Sequence, residues 1–335
     1  MTQAHVPLRT EQDDASGAGA RAPIELPDVL AAAERIRPYV RTTPVVELAP
    51  DPRWAGARVV LKLESLQHAG SFKARGAVHR ILTTPDVRGR GVIAASGGNH
   101  GLAVAYAARR LDVPAEVFVP EIASPVKLAA LQDYAAQVTV GGRHYADAYD
   151  AMLTRAAETG AQVVHAYDDP TVAAGQGTLG VELLAQAGSV DTVLVAVGGG
   201  GLLAGVAAAI DGRARVVAVE PEAIPTLHAA LEAGAPVDVE VGGVAADSLG
   251  ARRIGEVGLA AARRFDVPSV LVADEAILAA RRLLWQELRV AAEAGGAAAL
   301  AALLCRAYAP GHGERVAVVV CGGNTDPGDL VAAPR

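Results

Sequence analysis

The chain is 335 residues long, 51% apolar and only 20% charged, enough material for two cores at about 150 residues per domain, so disordered, collagen-like and coiled-coil classes are excluded. Its 30 Lys and Arg against 37 Asp and Glu give a net charge of −7 without a helix-length basic run, which argues against nucleic acid as a partner. Cys305 and Cys321 are the only cysteines; they supply neither a disulfide framework nor CxxC metal spacing, and they fit a reducing, cytoplasmic setting.

Residues 1–22 mix acidic, Gly and Ala residues with neither a basic n-region nor an apolar h-region, and read as a flexible polar leader. Short β-branched runs then predict strands over Arg58–Leu63, Gly91–Ala94, Glu116–Val119, Gln137–Val140, Gln162–His165, Thr192–Val197, Arg215–Val219, Ser269–Val272 and Arg315–Val320. Between them, Ala-rich stretches of helical period predict helices over Gly101–Leu111, Pro125–Tyr134, Tyr145–Thr159, Gly201–Ile210 and Asp274–Arg289. The longest apolar runs fall far short of the roughly 18 to 20 residues that span a bilayer, so no membrane partner is expected. Strands alternating with helices predict an α/β fold of two domains, each an open, mostly parallel twisted sheet flanked by helices. Boundaries near 90 and 165 set a small domain, 90–165, within a large one, 23–89 and 166–335.

In open parallel sheets ligands sit beyond the carboxyl ends of strands, where this chain places Gly-rich turns. The first candidate is Gly198-Gly199-Gly200-Gly201-Leu202, a strand-to-helix turn whose bare N–H groups suit a phosphate. Gly199, Gly201 and Ala204 also satisfy G-x-G-x-x-A, and Glu220 ends the next strand, so a nicotinamide-dependent oxidoreductase is a rival reading. The second is Gly70-Ser71-Phe72-Lys73-Ala74-Arg75-Gly76-Ala77, a lysine among small residues at a helix start expected to be capped by Ser71. The third is Ser96-Gly97-Gly98-Asn99-His100-Gly101, whose amides suit a carboxylate and whose Asn99 suits a ring hydroxyl. The fourth is Cys321-Gly322-Gly323-Asn324, where a thiol could face a ligand's ring nitrogen; Cys305 is assigned to the core. Metal-hydrolase, G-x-S-x-G and P-loop patterns are absent.

Together, in this order and spacing, these four motifs resemble the pyridoxal-phosphate enzymes of the serine/threonine dehydratase and serine racemase family, over about residues 24 to 327. The resemblance implies fold type II, of the tryptophan synthase β kind, and a homodimer. It implies Lys73 as the Schiff-base lysine, Phe72 packed by the pyridine ring, Asn99 on the ring oxygen, Gly198, Gly199, Gly200, Gly201 and Leu202 on the phosphate of pyridoxal 5'-phosphate, and Cys321 facing the pyridine nitrogen. Ser96, Gly97, Gly98, Asn99 and His100 would then hold the carboxylate of a small amino-acid substrate. The implied reaction is dehydration and deamination of an L-β-hydroxy amino acid, L-threonine or L-serine, to a 2-oxo acid and ammonia. β-Replacement, threonine-synthase-like chemistry, racemisation and hydroxyaspartate dehydration are the alternatives within the fold, and a non-catalytic binding protein is the weakest rival.

Departures from the family pattern qualify this. Gly97 stands where serine racemases carry a second serine, so racemisation is not expected. Glu220 matches a divalent-cation ligand of metal-dependent members, but Thr226 replaces its acidic partner. Little chain follows Cys321, so a regulatory domain is not expected. Glu293 matches a family glutamate near the cofactor, with a solvated helix-end carboxylate as the competing reading.

Overall fold

The computed structural model describes residues 23–121, 125–143 and 145–331; the expected leader lies outside them. Among the described residues ten strands form two sheets. They are β1 (Val45–Glu47), β2 (Arg58–Leu63), β3 (Val92–Ala95), β4 (Ala115–Val119), β5 (Gln137–Val140), β6 (Gln162–Val163), β7 (Thr192–Ala196), β8 (Arg215–Pro221), β9 (Ser269–Val272) and β10 (Arg315–Val320). The larger sheet runs β1-β2-β10-β7-β8-β9 and the smaller β5-β4-β3-β6. Every pairing is parallel except β1 with β2.

The strands that read as continuous Val-rich runs are the buried ones: β10 is buried from Val316 to Val320 and β7 throughout, as parallel strands covered on both faces must be. The Ala294–Leu304 helix packs behind them and is buried from Ala294 to Leu303, which explains why its sequence is apolar on every side. β1 has no counterpart among the expected strands, because three residues directly after Pro44 carry too little pattern.

Register fixes where chemistry can occur. Val320 of β10 lies opposite Leu63 of β2, and Val318 lies opposite Leu194 of β7, so β2, β10 and β7 end side by side. Their following loops, 64–72, 321–324 and 197–201, share one edge of the larger sheet. The loops after β3 and β6 of the smaller sheet meet that edge, and the four motifs are thereby brought together.

Candidate active site

Lys73 opens the Lys73–Leu82 helix and is held from behind by the loop after β10. The amide of Phe72 donates to the carbonyl of Cys321 at 3.1 Å and that of Gly323 to the carbonyl of Gly70 at 2.9 Å, with Ser71 and Gly322 forming an isolated antiparallel bridge between them. Ser71 therefore does not cap the helix. Phe72 occupies the cap position without a side-chain cap bond, and the Ser71 hydroxyl is buried without a partner among the described residues. The Lys73 Nζ donates to the carbonyl of Ala166 at 2.6 Å and lies 5.1 Å from the centre of the Phe72 ring. Burial pushes this amine down to about 8, against the opposing influence of Cys321 and Glu293.

Two residues along, Arg75 locks the helix in place. It is fully buried and forms paired hydrogen bonds to both oxygens of Glu64, 2.8 Å each, and to both oxygens of Glu182 at 2.7 and 2.9 Å. Lys62, also buried, donates to Glu182 at 2.8 Å. Two cations thus meet two carboxylates, the balance that buried charge requires.

The loop after β3 is braced internally, with the amide of Gly98 donating to the Ser96 hydroxyl at 3.1 Å. Gly98 is the cap residue and the helix starts at Asn99, two residues earlier than its apolar pattern indicates. The Asn99 amide nitrogen donates to Glu293 Oε1 at 2.5 Å, and its oxygen accepts from Asn324 at 2.7 Å. One Asn99 proton remains to aim at a ligand. Glu293 is 7% exposed, so it is not a solvated helix-end carboxylate. The ring of His100 turns inward to the carbonyl of Val164 at 2.7 Å, and burial, reinforced by the charge of Lys73, lowers it to about 3. His100 is neutral, and only its backbone can serve the loop.

At the glycine turn, the carbonyls and amides face opposite ways. The carbonyl of Gly198 accepts from Thr226 at 2.6 Å, that of Gly199 from Gly255 at 3.1 Å and that of Gly200 from Ala204 at 2.9 Å. Among the described residues no acceptor meets the amides of Gly198 through Gly201, which leaves a cluster of donors at a helix N-terminus, the arrangement a phosphate needs. The glycines themselves answer to the protein. A Cβ on Gly199 would come within 2.2 Å of the Tyr167 ring, and Gly200 has φ +88 against the Gly258 backbone. Close approach of a ligand is not what makes these positions glycine.

Cys321 is buried with its thiol 3.5 Å from the carbonyl of Gly295; burial, and then Glu293, push its pKa up, so it is a neutral thiol. Cys305 is exposed, contrary to its assignment to the core, because the Ala-rich helix ends at Leu304 and Cys305 is its C-cap. Glu220 is fully buried. One of its oxygens accepts from the amide of Leu227 at 2.7 Å and lies 3.2 Å from the Thr226 hydroxyl, and the other accepts from the amide of His228 at 2.9 Å and the Ser269 hydroxyl at 2.5 Å. With its lone pairs occupied from within, Glu220 is a brace for the Thr226–Ala233 helix, not a cation ligand or a ribose contact. Sequence reasoning had no signal for the grip of Asn324 on Asn99, the Thr226 bond to the glycine loop, or the placement of Tyr167.

A family described as pyridoxal-phosphate dependent enzyme matches residues 36–322. The chain belongs to the pyridoxal-phosphate-dependent enzymes. It is 40% identical over 308 residues to the phenylserine dehydratase of Ralstonia pickettii, covering 90% of this chain and 94% of that protein. It is 39% identical to the L-threonine ammonia-lyase of Geobacter sulfurreducens, covering 88% and 74%. The structure of maize serine racemase superposes with a TM-score of 0.87 at 31% identity, over 92% of this chain and 96% of that one. The fold of this pyridoxal-phosphate enzyme is accordingly fold type II, and the nicotinamide reading falls with the burial of Glu220.

Proposed function

We propose that this enzyme dehydrates and deaminates an L-β-hydroxy amino acid, L-threonine or L-serine in the first instance, to a 2-oxo acid and ammonia. The relatives named phenylserine dehydratase and L-threonine ammonia-lyase support the class, since the two names share a β-hydroxyl leaving group. The observation that carries the reading is the convergence of a desolvated amine, Lys73, with three glycine-rich loops at one sheet edge.

The residues fit pyridoxal 5'-phosphate. The amides of Gly198 through Gly201, with Leu202 at the helix start, would hold its phosphate, Asn99 its ring oxygen, Phe72 the ring face and Lys73 the covalent attachment. Bound there, the cofactor supplies an electron sink at the substrate's α-carbon. The neutral thiol of Cys321 would face the ring nitrogen and would offer it a weak hydrogen bond and no formal charge. Lys73 Nζ, lowered into the working pH range, takes the α-proton on one face. The amides of the Ser96–His100 loop orient the carboxylate. Gly97 offers no side chain to the opposite face, which favours elimination over racemisation.

The reading carries with it a small domain over 90–165, a homodimer, and work in the cytoplasm apart from membranes and nucleic acid. Among the described residues no helix is long and apolar enough to cross a membrane.

The test is oxo-acid release by purified Lys73→Ala alongside the parent enzyme, with peptide mapping after borohydride reduction. Loss of turnover by on the order of a thousandfold, and cofactor label on the Lys73 peptide alone, is the expected result. Undiminished turnover, or label elsewhere, removes Lys73 from its role; no oxo acid from any β-hydroxy amino acid removes the reaction.

A further inference from the structure

The carbonyl that receives Lys73 Nζ at 2.6 Å belongs to Ala166, in the turn that joins β6 to the Pro170–Ala187 helix. Among the described residues no backbone-to-backbone hydrogen bond closes this turn. A side chain closes it instead. The ring Nδ1 of His165 accepts from the amide of Tyr167 at 3.3 Å and from that of Asp168 at 2.9 Å, two and three residues ahead. Asp169 meets the amides of Thr171 and Val172 in the same way, at 2.8 and 3.2 Å, so the imidazole does here what the oxygen of a short polar side chain does at a helix cap. Accepting at Nδ1 places the proton of the neutral ring on Nε2.

This turn touches three of the four motifs. Just before it, the carbonyl of Val164 accepts from the His100 ring at 2.7 Å. Just after the Ala166 carbonyl, Tyr167 packs on the glycine loop: a Cβ on Gly201 would stand 2.7 Å from the Tyr167 carbonyl oxygen, as one on Gly199 would meet its ring. Asp168 Oδ1 then accepts from the amide of Val257 at 3.0 Å. The ends of the turn are thus fixed, and the His165 ring sets the direction of the carbonyl between them. We infer that His165 is a positioning residue for proton transfer: through this turn it aims the Ala166 carbonyl, and that carbonyl seats the amine of Lys73 once the substrate amine has displaced it. The inference rests on the elimination reading only for the role of Lys73 as base. An amine that gives one N–H to a fixed acceptor keeps its lone pair turned away from that oxygen. In the transfer the neutral amine takes the α-proton and becomes an ammonium, the electron pair of the broken C–H bond stays with the α-carbon, and Nζ still has an N–H to give to Ala166. The same carbonyl therefore holds the base before and after the step, which is the fixed geometry that proximity catalysis depends on. Without an acceptor at residue 165 two amides are stranded, the turn rearranges, and the amine swings on its flexible four-carbon stem.

L-2-Aminobutyrate isolates this step, because it has an α-hydrogen and no β-hydroxyl to lose. In D2O the holoenzyme should exchange that hydrogen for deuterium, read by proton NMR, while a titration followed by cofactor absorbance gives the dissociation constant. His165→Leu should slow the exchange on the order of a hundredfold and leave the dissociation constant within about threefold of the parent's. His165→Asn, whose Oδ1 reaches the same two amides, should restore exchange to within about fivefold of the parent. Cofactor content and melting temperature establish that each variant is folded and loaded. Should His165→Leu fail either check, His165→Gln takes its place, since its amide reaches toward the Nε2 position and not Nδ1, and the same loss is expected. Exchange at the parent rate without the acceptor, a loss that His165→Asn does not restore, or a parent that binds aminobutyrate and leaves its α-hydrogen in place overturns the inference. The expected pattern with no oxo acid released from any β-hydroxy amino acid keeps the seat of Lys73 and removes the elimination instead.

Discussion

The hydroxyl of Thr226 donates to the carbonyl oxygen of Gly198 at 2.6 Å, and this bond, made from the start of a helix that Glu220 braces, turns the first glycine of the loop so that its amide faces outward. Thr226→Val preserves the shape and removes the donor. A lost bond of this kind is worth about 1 kcal/mol, with more added for the stranded carbonyl, so the variant should hold pyridoxal phosphate on the order of tenfold less tightly. Dialysis against cofactor-free buffer, followed by absorbance, measures it; unchanged retention would mean that the loop is set by packing alone.

Lys73 sets a pH dependence whose sign is fixed by the direction of its shift. Its pKa falls from 10.5 in the unfolded chain to about 8 in the folded one, so between those values the unfolded chain binds the extra proton. The contribution of Lys73 to the stability of the cofactor-free protein therefore rises as pH increases through that window. Urea unfolding at pH 8 and at pH 10 should show this rise relative to Lys73→Met, which lacks it. The rate of cofactor attachment, which needs the neutral amine, should climb to a plateau with a midpoint near 8.

Arg75 is the partner on which Glu64 and Glu182 both depend. Arg75→Met fills the volume but leaves the buried Glu64 without a cation, while Glu182 keeps Lys62, a change that costs about 3 to 5 kcal/mol when a buried pair loses one member. Denaturant unfolding of the variant reads this directly, and the loss should shrink when Glu64→Gln is added. A parent-like midpoint would show that water reaches the network.

Gly97 bears on stereochemistry. With L-serine as substrate, D-serine should form far more slowly than pyruvate, because the face opposite Lys73 has no side chain at this position to return a proton. Chiral chromatography of the reaction mixture decides it, and comparable rates would place an unrecognised acid on that face.

Much of the frame was legible in the sequence because it is local. Val-rich runs separated by Ala-rich helical stretches identify the strands to within a residue or two, as at Val92–Ala95, and the motifs around Lys73, Asn99, Gly198 and Cys321 fall at strand ends or helix starts. What could not be read is what passes between distant segments. Ser71 has the residue type of a helix cap, but a bridge to Gly322 claims its backbone. Glu220 has the residue type and position of a ligand, yet three donors from two other elements, the amides of Leu227 and His228 and the Ser269 hydroxyl, meet its oxygens. Cys305 sits in an apolar pattern that stops one residue before it. In each case a partner far along the chain, or the end of an element, decides the outcome, and no local pattern records either.

The stitching of the Lys73 segment to the loop after β10 also governs how the molecule is made. Among the described residues β2 and β7 are joined only through β10, which emerges from the ribosome after the other nine described strands. Until then the larger sheet has two unpaired edges, and the Phe72 amide lacks the carbonyl that seats it. A nascent chain short of Arg315 consequently has its glycine loop in place but its lysine adrift, with sheet edges open to other chains. Cofactor capture and escape from aggregation thus both wait on the last strand.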